Sequence, residues 1–460
     1  MQADVTVVIL AAGLGTRMKS NQAKVLHCAG GQTLIRHAVD AVRAIAPPER
    51  IFVVVGHQAD KVRDNVGDRG VRFIAQTEQR GTGHALLCGR QDLETLGGLL
   101  VIFYGDCPLI LPSTLTQLVA RQRDSGAGGT LISTRLREPT GYGRVIRTEN
   151  GNVAAIVEQK AANHEQLAVR EINAGIYCFD ANLFWSSIDE LTPNNAANEY
   201  YLTDMVEILM KHGHVIQDFH VKESSELLGI NNRVDLAAAD RVFRDRKVHQ
   251  LMLDGVTIEK PETVTIDSQV VVGIDSVIEP FAQLRGDTIA GERCHIGACS
   301  IVRDSQLGDD VVIEPFTLIA KSKLERAVHA GPFARLRMDN HVEEGAHIGN
   351  FVELKNTKMG AGAKAGHLAY LGDSEIGAGA NIGAGTITCN YDGVSKHVTK
   401  IGEKAFVGSN STLVAPLEIA DRTYIAAGSV ITKAVPEDAL AIGRARQENK
   451  EGYAKRLRKA

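Results

Sequence analysis

Seven cysteines lie scattered along the 460 residues and none forms a C-x-x-C pair, which excludes a cysteine zinc cluster and a disulfide framework. Cys294 and Cys299, the closest two, read as packing residues. No stretch reaches the roughly 18 apolar residues of a membrane span. The N-terminus runs into a short strand and a Gly-rich turn, with no signal-peptide pattern. A formal net charge of -4 leaves no basic surface for nucleic acid. These absences point to small-molecule partners, no nucleic acid, no membrane, and a reducing cytoplasm. The exception in charge is the tail, where Lys450, Lys455, Arg456, Arg458 and Lys459 cluster; it reads either as a solvated end or as a reach toward a phosphorylated ligand.

What is present is ordinary globular composition, 44% hydrophobic and 23% charged, in a chain too long for one core. Over residues 1–230 short apolar runs (5–10, 51–55, 99–103, 130–134) alternate with helical stretches (34–44, 114–123, 199–211). That alternation predicts an α/β domain, Rossmann-like, with a mostly parallel sheet. Residues 231–253 carry one longer helical pattern, read as a linking arm.

From residue 254 to 460 the period changes. Aliphatic residues recur every six from Ile266 through Val272, Ile278, Leu284, Ala290, Ile296 and Val302. With occasional steps of five they continue to Ile348, Leu354, Ala365, Leu371, Ile382 and Thr388. After an insertion of seven residues the register resumes at Ile401, Val407, Leu413, Ile419, Ile425 and Ile431. This is the hexapeptide signature of a parallel β-helix. Each hexad forms one side of a triangular prism, and each coil rises about 4.8 Å.

In the first half, strand 5–10 runs through Leu10 into Ala11-Ala12-Gly13-Leu14-Gly15-Thr16-Arg17-Met18, with Lys24 seven residues beyond Arg17. Small residues let backbone N–H groups close on phosphates, and Arg17 and Lys24 add charge. Asp106 follows a strand's carboxyl end, where open α/β sheets bind ligands. Position alone also allows a turn or helix-capping residue before Pro108. Gln76, Gly81, Thr82, Tyr104-Gly105-Asp106, Gly143, Glu158, Asn173 and Asn231 follow in order. This ordered set resembles the sugar-nucleotide pyrophosphorylases, in the branch that uridylylates N-acetylglucosamine-1-phosphate. The resemblance implies attack of a sugar phosphate on the α-phosphorus of UTP. It implies Mg²⁺ on Asp106 and Asn231, uracil on Gln76, Gly81 and Thr82, the sugar on Gly143, Glu158 and Asn173, and phosphate charge on Arg17 and Lys24.

In the second half the hexad register places Asn350, His367, Ala384, Ser409 and Ala427 in one file, two residues after interior positions. Arg337 and Lys355 stack on a different edge, which also carries Asn390 and Tyr391. The surrounding segments resemble the acetyltransferase half of the bifunctional N-acetylglucosamine-1-phosphate uridyltransferase/glucosamine-1-phosphate acetyltransferase family. That resemblance implies a left-handed β-helix, with His367 as general base. It implies amino-sugar phosphate on Arg337, Lys355, Tyr370, Asn381, Asn390 and Tyr391, and acetyl-CoA along Ala384, Ser409, Ala427 and Arg444. Two edges of one prism diverge, so a site using both requires neighbouring prisms and hence a closed homotrimer.

Two departures from the family pattern stand out. Ala23 replaces the usual Pro before Lys24, and Met338-Asp339 replaces Pro-Gly after Arg337. Two other readings compete with the bifunctional enzyme. A single-activity pyrophosphorylase with a structural β-helix would not require His367, and a non-catalytic scaffold would not require Arg17, Lys24, Asp106 and Asn231 together.

Overall fold

The computed structural model describes residues 4–195 and 198–458, so Lys459 of the basic tail lies outside the described residues. The chain divides into two compact units at Phe243/Arg244. Helix Arg233–Leu253 therefore belongs to both. Ala239 is buried in the first unit with Leu236, Val242 and Phe243 against it, and Val248 and Leu251 are buried in the second. The segment read as a linking arm thus consists of two packed ends.

The first unit is built on a sheet whose central strands Arg72–Ala75, Ile51–Val55, Val5–Leu10 and Leu99–Tyr104 are parallel. In the last three of these the runs of Val, Ile and Phe are buried on both faces, as parallel strands covered by helices must be. Strand Glu171–Asp180 enters antiparallel, between Leu99–Tyr104 and Gly129–Arg135. Pairing of Leu10 with both Val54 and Tyr104 puts the Gly-rich turn and Asp106 on the same carboxyl edge. The helix expected over 199–211 begins only at Asp204. Tyr200 is engaged upstream instead: its N–H donates to the Arg80 carbonyl and its carbonyl accepts from Gly83, both at 2.8 Å.

In the second unit parallel two- to seven-residue strands stack coil on coil. One eleven-stranded ladder forms one side of the prism, and a seventeen-stranded ladder turns a corner to form the other two. Strands Glu353–Met359 and Tyr370–Ile376 bridge that corner. Every residue placed inside by the hexad register is buried, from Ile266 to Ile431. The polar exception, Thr388, is satisfied: its hydroxyl accepts from the Gly372 N–H at 2.8 Å. Coils approach so closely that a Cβ on Gly349 would collide with the Gly366 carbonyl. Cys294 is core, whereas Cys299 is only half-buried, at a corner with φ 60°.

The Met338-Asp339 departure leaves the turn intact. Asp339 takes φ 53° and falls in line with Asp304, Lys321, Asn356 and Asp373, all left-handed. Aspartate tolerates that region better than most side chains. Its N–H donates to Lys321 at 2.8 Å, as the Asn356 N–H does to Met338.

Ile348 is fully buried at mid-stack. Ile348→Ala is expected to destabilise the β-helix by about 2–5 kcal/mol, read as a shift in the urea transition of that unit.

Candidate active sites

The uridylyl-transfer candidates converge at the carboxyl edge of the first unit. Gly15, with φ 60°, lies so close that a Cβ there would meet the Lys24 Cβ at 2.6 Å. The Lys24 ammonium pairs with Asp106, and both side chains are largely buried. Arg17 donates to Asn231 Oδ1 at 2.8 Å. The Ile230 N–H donates to the Asp106 carbonyl at 2.9 Å, bringing the two oxygen-bearing residues side by side. A carboxylate and an amide oxygen are hard donors of the kind a small divalent cation takes with phosphate and water. Each donor is held by a cation of the chain itself, so the donor set fits such an ion.

Gln76 donates to the Gly81 carbonyl at 3.1 Å. Gly81, at φ 105°, leaves no room for a Cβ, which would meet the Tyr200 carbonyl at 2.5 Å. Next to it the Thr82 side chain hydrogen-bonds the Tyr104 phenol, which burial pushes well above its ordinary range. Gln76 also lines a cavity of about 420 Å³ with Leu14, Gly56, His57, Gln58 and Arg63. Among the residues expected to hold the sugar, Asn173 N–H donates to the Gly143 carbonyl at 2.9 Å, and its side-chain amide donates to the Tyr177 hydroxyl at 2.5 Å. Gly143 lies against the Glu158 carboxylate. Burial, then the neighbouring Asp204 charge, raise the pKa of Glu158.

In the β-helix the Asn350–His367 pairing and the registers Ala365–Ile382, Ile382–Val407 and Val407–Ile425 stack His367, Ala384, Ser409 and Ala427. His367 is exposed, and Arg444 stands beside Gly428 at the far end of this file. Along the adjoining corner Phe316, Phe333 and Phe351 stack at 5.1 and 5.3 Å, each about half exposed at 47%, 45% and 56%. Asn381 points outward on the same ladder, between Lys364 and Phe406.

The cationic edge is elsewhere on the prism, on the seventeen-stranded ladder. Arg337 lies one coil from Lys355 and donates to Glu353 at 3.2 Å. Gly372 lets the Tyr370 hydroxyl approach its backbone next to Asn390, and Asn390 donates to the buried Asp373. Tyr391 is exposed, its hydroxyl on the Gly393 carbonyl at 2.6 Å. Within a single chain His367 and Lys355 are therefore not brought together.

The sequence reading passed over Lys396. It lies in the seven-residue insertion that breaks the hexad register, and its ammonium faces that of Lys355. Hydrogen bonding and repulsion from Lys355 lower its pKa. No periodic signal marks it; its sign and its place beside Asn390-Tyr391 were the available clues.

A parallel-sheet nucleotidyltransferase unit followed by a hexapeptide-repeat unit with an exposed histidine file defines a two-site transferase. A family model, MobA-like NTP transferase domain, matches residues 7–167. Over its whole length the chain is similar to proteins named Bifunctional protein GlmU. It is 61% identical to that of Solibacter usitatus over 459 residues, covering 100% of this chain and 98% of the relative. Identity is 49% with that of Koribacter versatilis over 455 residues (98% and 97% covered). With that of Streptococcus agalactiae it is 44% over 447 residues (97% of each). The chain belongs to the bifunctional GlmU family, and it is an enzyme with a uridyltransferase and an acetyltransferase activity.

Two outcomes are expected. Because burial raises the folded-state pKa of Glu158, the group favours folding below the ordinary glutamate range and loses that contribution as pH rises through its raised value. Glu158→Gln should therefore raise the Tm of the first unit at neutral pH, with the gain vanishing in acid. Lys355→Ala should return the Lys396 ammonium toward its ordinary pKa, followed by NMR titration of the lysine side chain.

Proposed function

We propose that the β-helix acetylates glucosamine-1-phosphate with acetyl-CoA, and that the α/β unit then couples the N-acetylglucosamine-1-phosphate to UTP, releasing pyrophosphate. The observation that carries this reading is the coexistence of two unlike constellations. One is an oxygen pair held by Lys24 and Arg17; the other is a histidine followed by a file of small residues.

For acetyl transfer, His367 takes the proton from the substrate amine as its nitrogen attacks the thioester carbonyl; the C–S bond then breaks, and the departing CoA thiolate recovers that proton to leave as the thiol. Ala384, Ser409 and Ala427 leave a shallow track for the thin pantetheine arm, with Arg444 near its end. Arg337, Lys355 and Lys396 bind the sugar phosphate, with Tyr370, Asn381, Asn390 and Tyr391 around it. Because these lie on two edges of one chain, His367 works with the cationic edge of a neighbouring copy in a closed homotrimer. The exposed Phe316, Phe333 and Phe351 file beside the His367 edge supports such burial.

For uridylyl transfer, both reactants are anionic, so positioning and charge neutralisation dominate. Leu10 and Ala11, anchored in the sheet by the Ala11 N–H on the Val54 carbonyl at 3.0 Å, carry Ala12 and Gly13 toward the triphosphate, and Arg17 and Lys24 offset charge on it. Gln76, Gly81 and Thr82 hold the base, while Gly143, Glu158 and Asn173 hold the sugar. Tyr104 and Gly105 carry Asp106 at the strand end. Asp106 and Asn231 would hold Mg²⁺, which when bound neutralises charge on the phosphates. Seven free cysteines support action in a reducing cytoplasm.

Two variants separate the halves. His367→Ala is expected to cut thiol release from acetyl-CoA and glucosamine-1-phosphate by about 10²–10⁴-fold, leaving pyrophosphate release from UTP and N-acetylglucosamine-1-phosphate intact. Asp106→Ala should do the reverse. Loss of both activities from either change, in folded protein, would refute separate sites.

A further inference from the structure

Lys24 opens the short 3-10 turn Lys24–Leu26, which follows the turn Thr16–Met18 on a segment with little regular structure. Its side chain must nevertheless meet Asp106, 82 positions away in sequence. The residue that ties down the approach to it is Gln58, which none of the sequence motifs include. Gln58 Oε1 accepts from the Ala23 N–H at 3.0 Å, and Gln58 Nε2 donates to the Asn21 carbonyl at 2.6 Å. One primary amide thus engages both a donor and an acceptor of the same loop, immediately before Lys24. The orientation is fixed by chemistry: a flipped amide would set donor against donor and acceptor against acceptor.

The anchor is rigid. Gln58 follows strand Ile51–Val55 by three residues and is the N-cap of helix Ala59–Val66. Its own carbonyl accepts from the Val62 N–H at 3.2 Å. Its backbone lies in the left-handed region, φ 54° and ψ 40°. Glycine occupies that region freely, whereas a glutamine does so under strain. A strained residue whose side chain makes two bonds to a catalytic loop marks a position where the side chain matters more than local backbone ease.

We infer that Gln58 is a positioning residue for uridylyl transfer: its amide clamps residues 21–23 and so holds Lys24 over Asp106 and the phosphates. This rests on Lys24 being the phosphate-facing cation of the proposed uridylyl site. Ala23 is buried, with φ −55°, which lies within the range a proline ring imposes. Proline at 23 would therefore supply by covalent restriction the order that Gln58 supplies by hydrogen bonding, while deleting the N–H that Gln58 accepts.

The test uses the full-length protein carrying Gln58→Gly, which relieves the backbone strain and removes both bonds. The expected result is a fall of about ten-fold in uridylyl-transfer kcat, with the KM for UTP moving less than two-fold. Acetyl transfer should be unchanged and the urea midpoint of the first unit not lowered. A merely structural role would move the midpoint down and leave kcat of the folded fraction intact. Adding Ala23→Pro to Gln58→Gly should restore kcat to within about three-fold of the parent. The inference is overturned if Gln58→Gly leaves kcat within two-fold of the parent, or if the folded double variant stays as slow as the single. Lys24→Ala serves as the separate arm. If it leaves uridylyl transfer intact, the assignment of Lys24 itself fails. If it abolishes transfer while Gln58→Gly has no effect, only the inference about Gln58 fails.

Discussion

The acetyl-transfer half depends on one constraint, the backbone hydrogen-bond ladder that stacks each coil directly on the one before. A ladder of parallel strands fixes the rise at about 4.8 Å and leaves no freedom to slide, because a slip of one residue would turn the aliphatic file outward. Close approach enforces the same register. At Gly349 the carbonyl of Gly366 occupies the space a side chain would need. Given that lock, residues 17 to 25 positions apart in sequence become vertical neighbours. His367, Ala384 and Ser409 then line one edge without any contact among their own side chains having to arrange it.

The α/β half reaches its geometry by the opposite route. Its candidate site residues come from strand ends such as Leu10 and Tyr104 and from the segments that follow, and several of those segments are fastened by a specific polar contact. Tyr200 pairs with Arg80 and Gly83, Gln76 with Gly81, Ile230 with Asp106. Fastening of this kind is local and can be lost one bond at a time. The β-helix file, by contrast, is maintained by every coil beneath it.

This difference explains what could be read from the sequence. The hexad period marks interior positions because one rule applies at every coil, and it holds even at Thr388, where a hydroxyl replaces an aliphatic side chain. Strand 5–10 and Asp106 were legible because parallel strands leave buried runs with ligand residues at one end. Lys396 was not, since the insertion that carries it interrupts the very period that made its neighbours readable. Gln58 escaped because its contacts are to backbone groups 35 and 37 positions away, and nothing in residue type signals such a bond. The start of the helix at Asp204 was masked by Glu199-Tyr200-Tyr201, whose helical pattern yields to tertiary backbone pairing.

The two candidate phosphate sites also differ in how their charged side chains are paired. In the α/β unit Lys24 is paired with the Asp106 carboxylate and Arg17 with the Asn231 amide oxygen. Only the carboxylate offsets charge; the neutral amide leaves the Arg17 charge uncompensated. On the β-helix Lys355 and Lys396 face each other, and the repulsion shows in the lowered pKa of Lys396. On the proposed reading, a dianionic phosphate placed between them would remove that repulsion and gain two charge-assisted hydrogen bonds at once. Asp373, held by Asn356 and Asn390, lies near enough to Lys396 to favour its charged form.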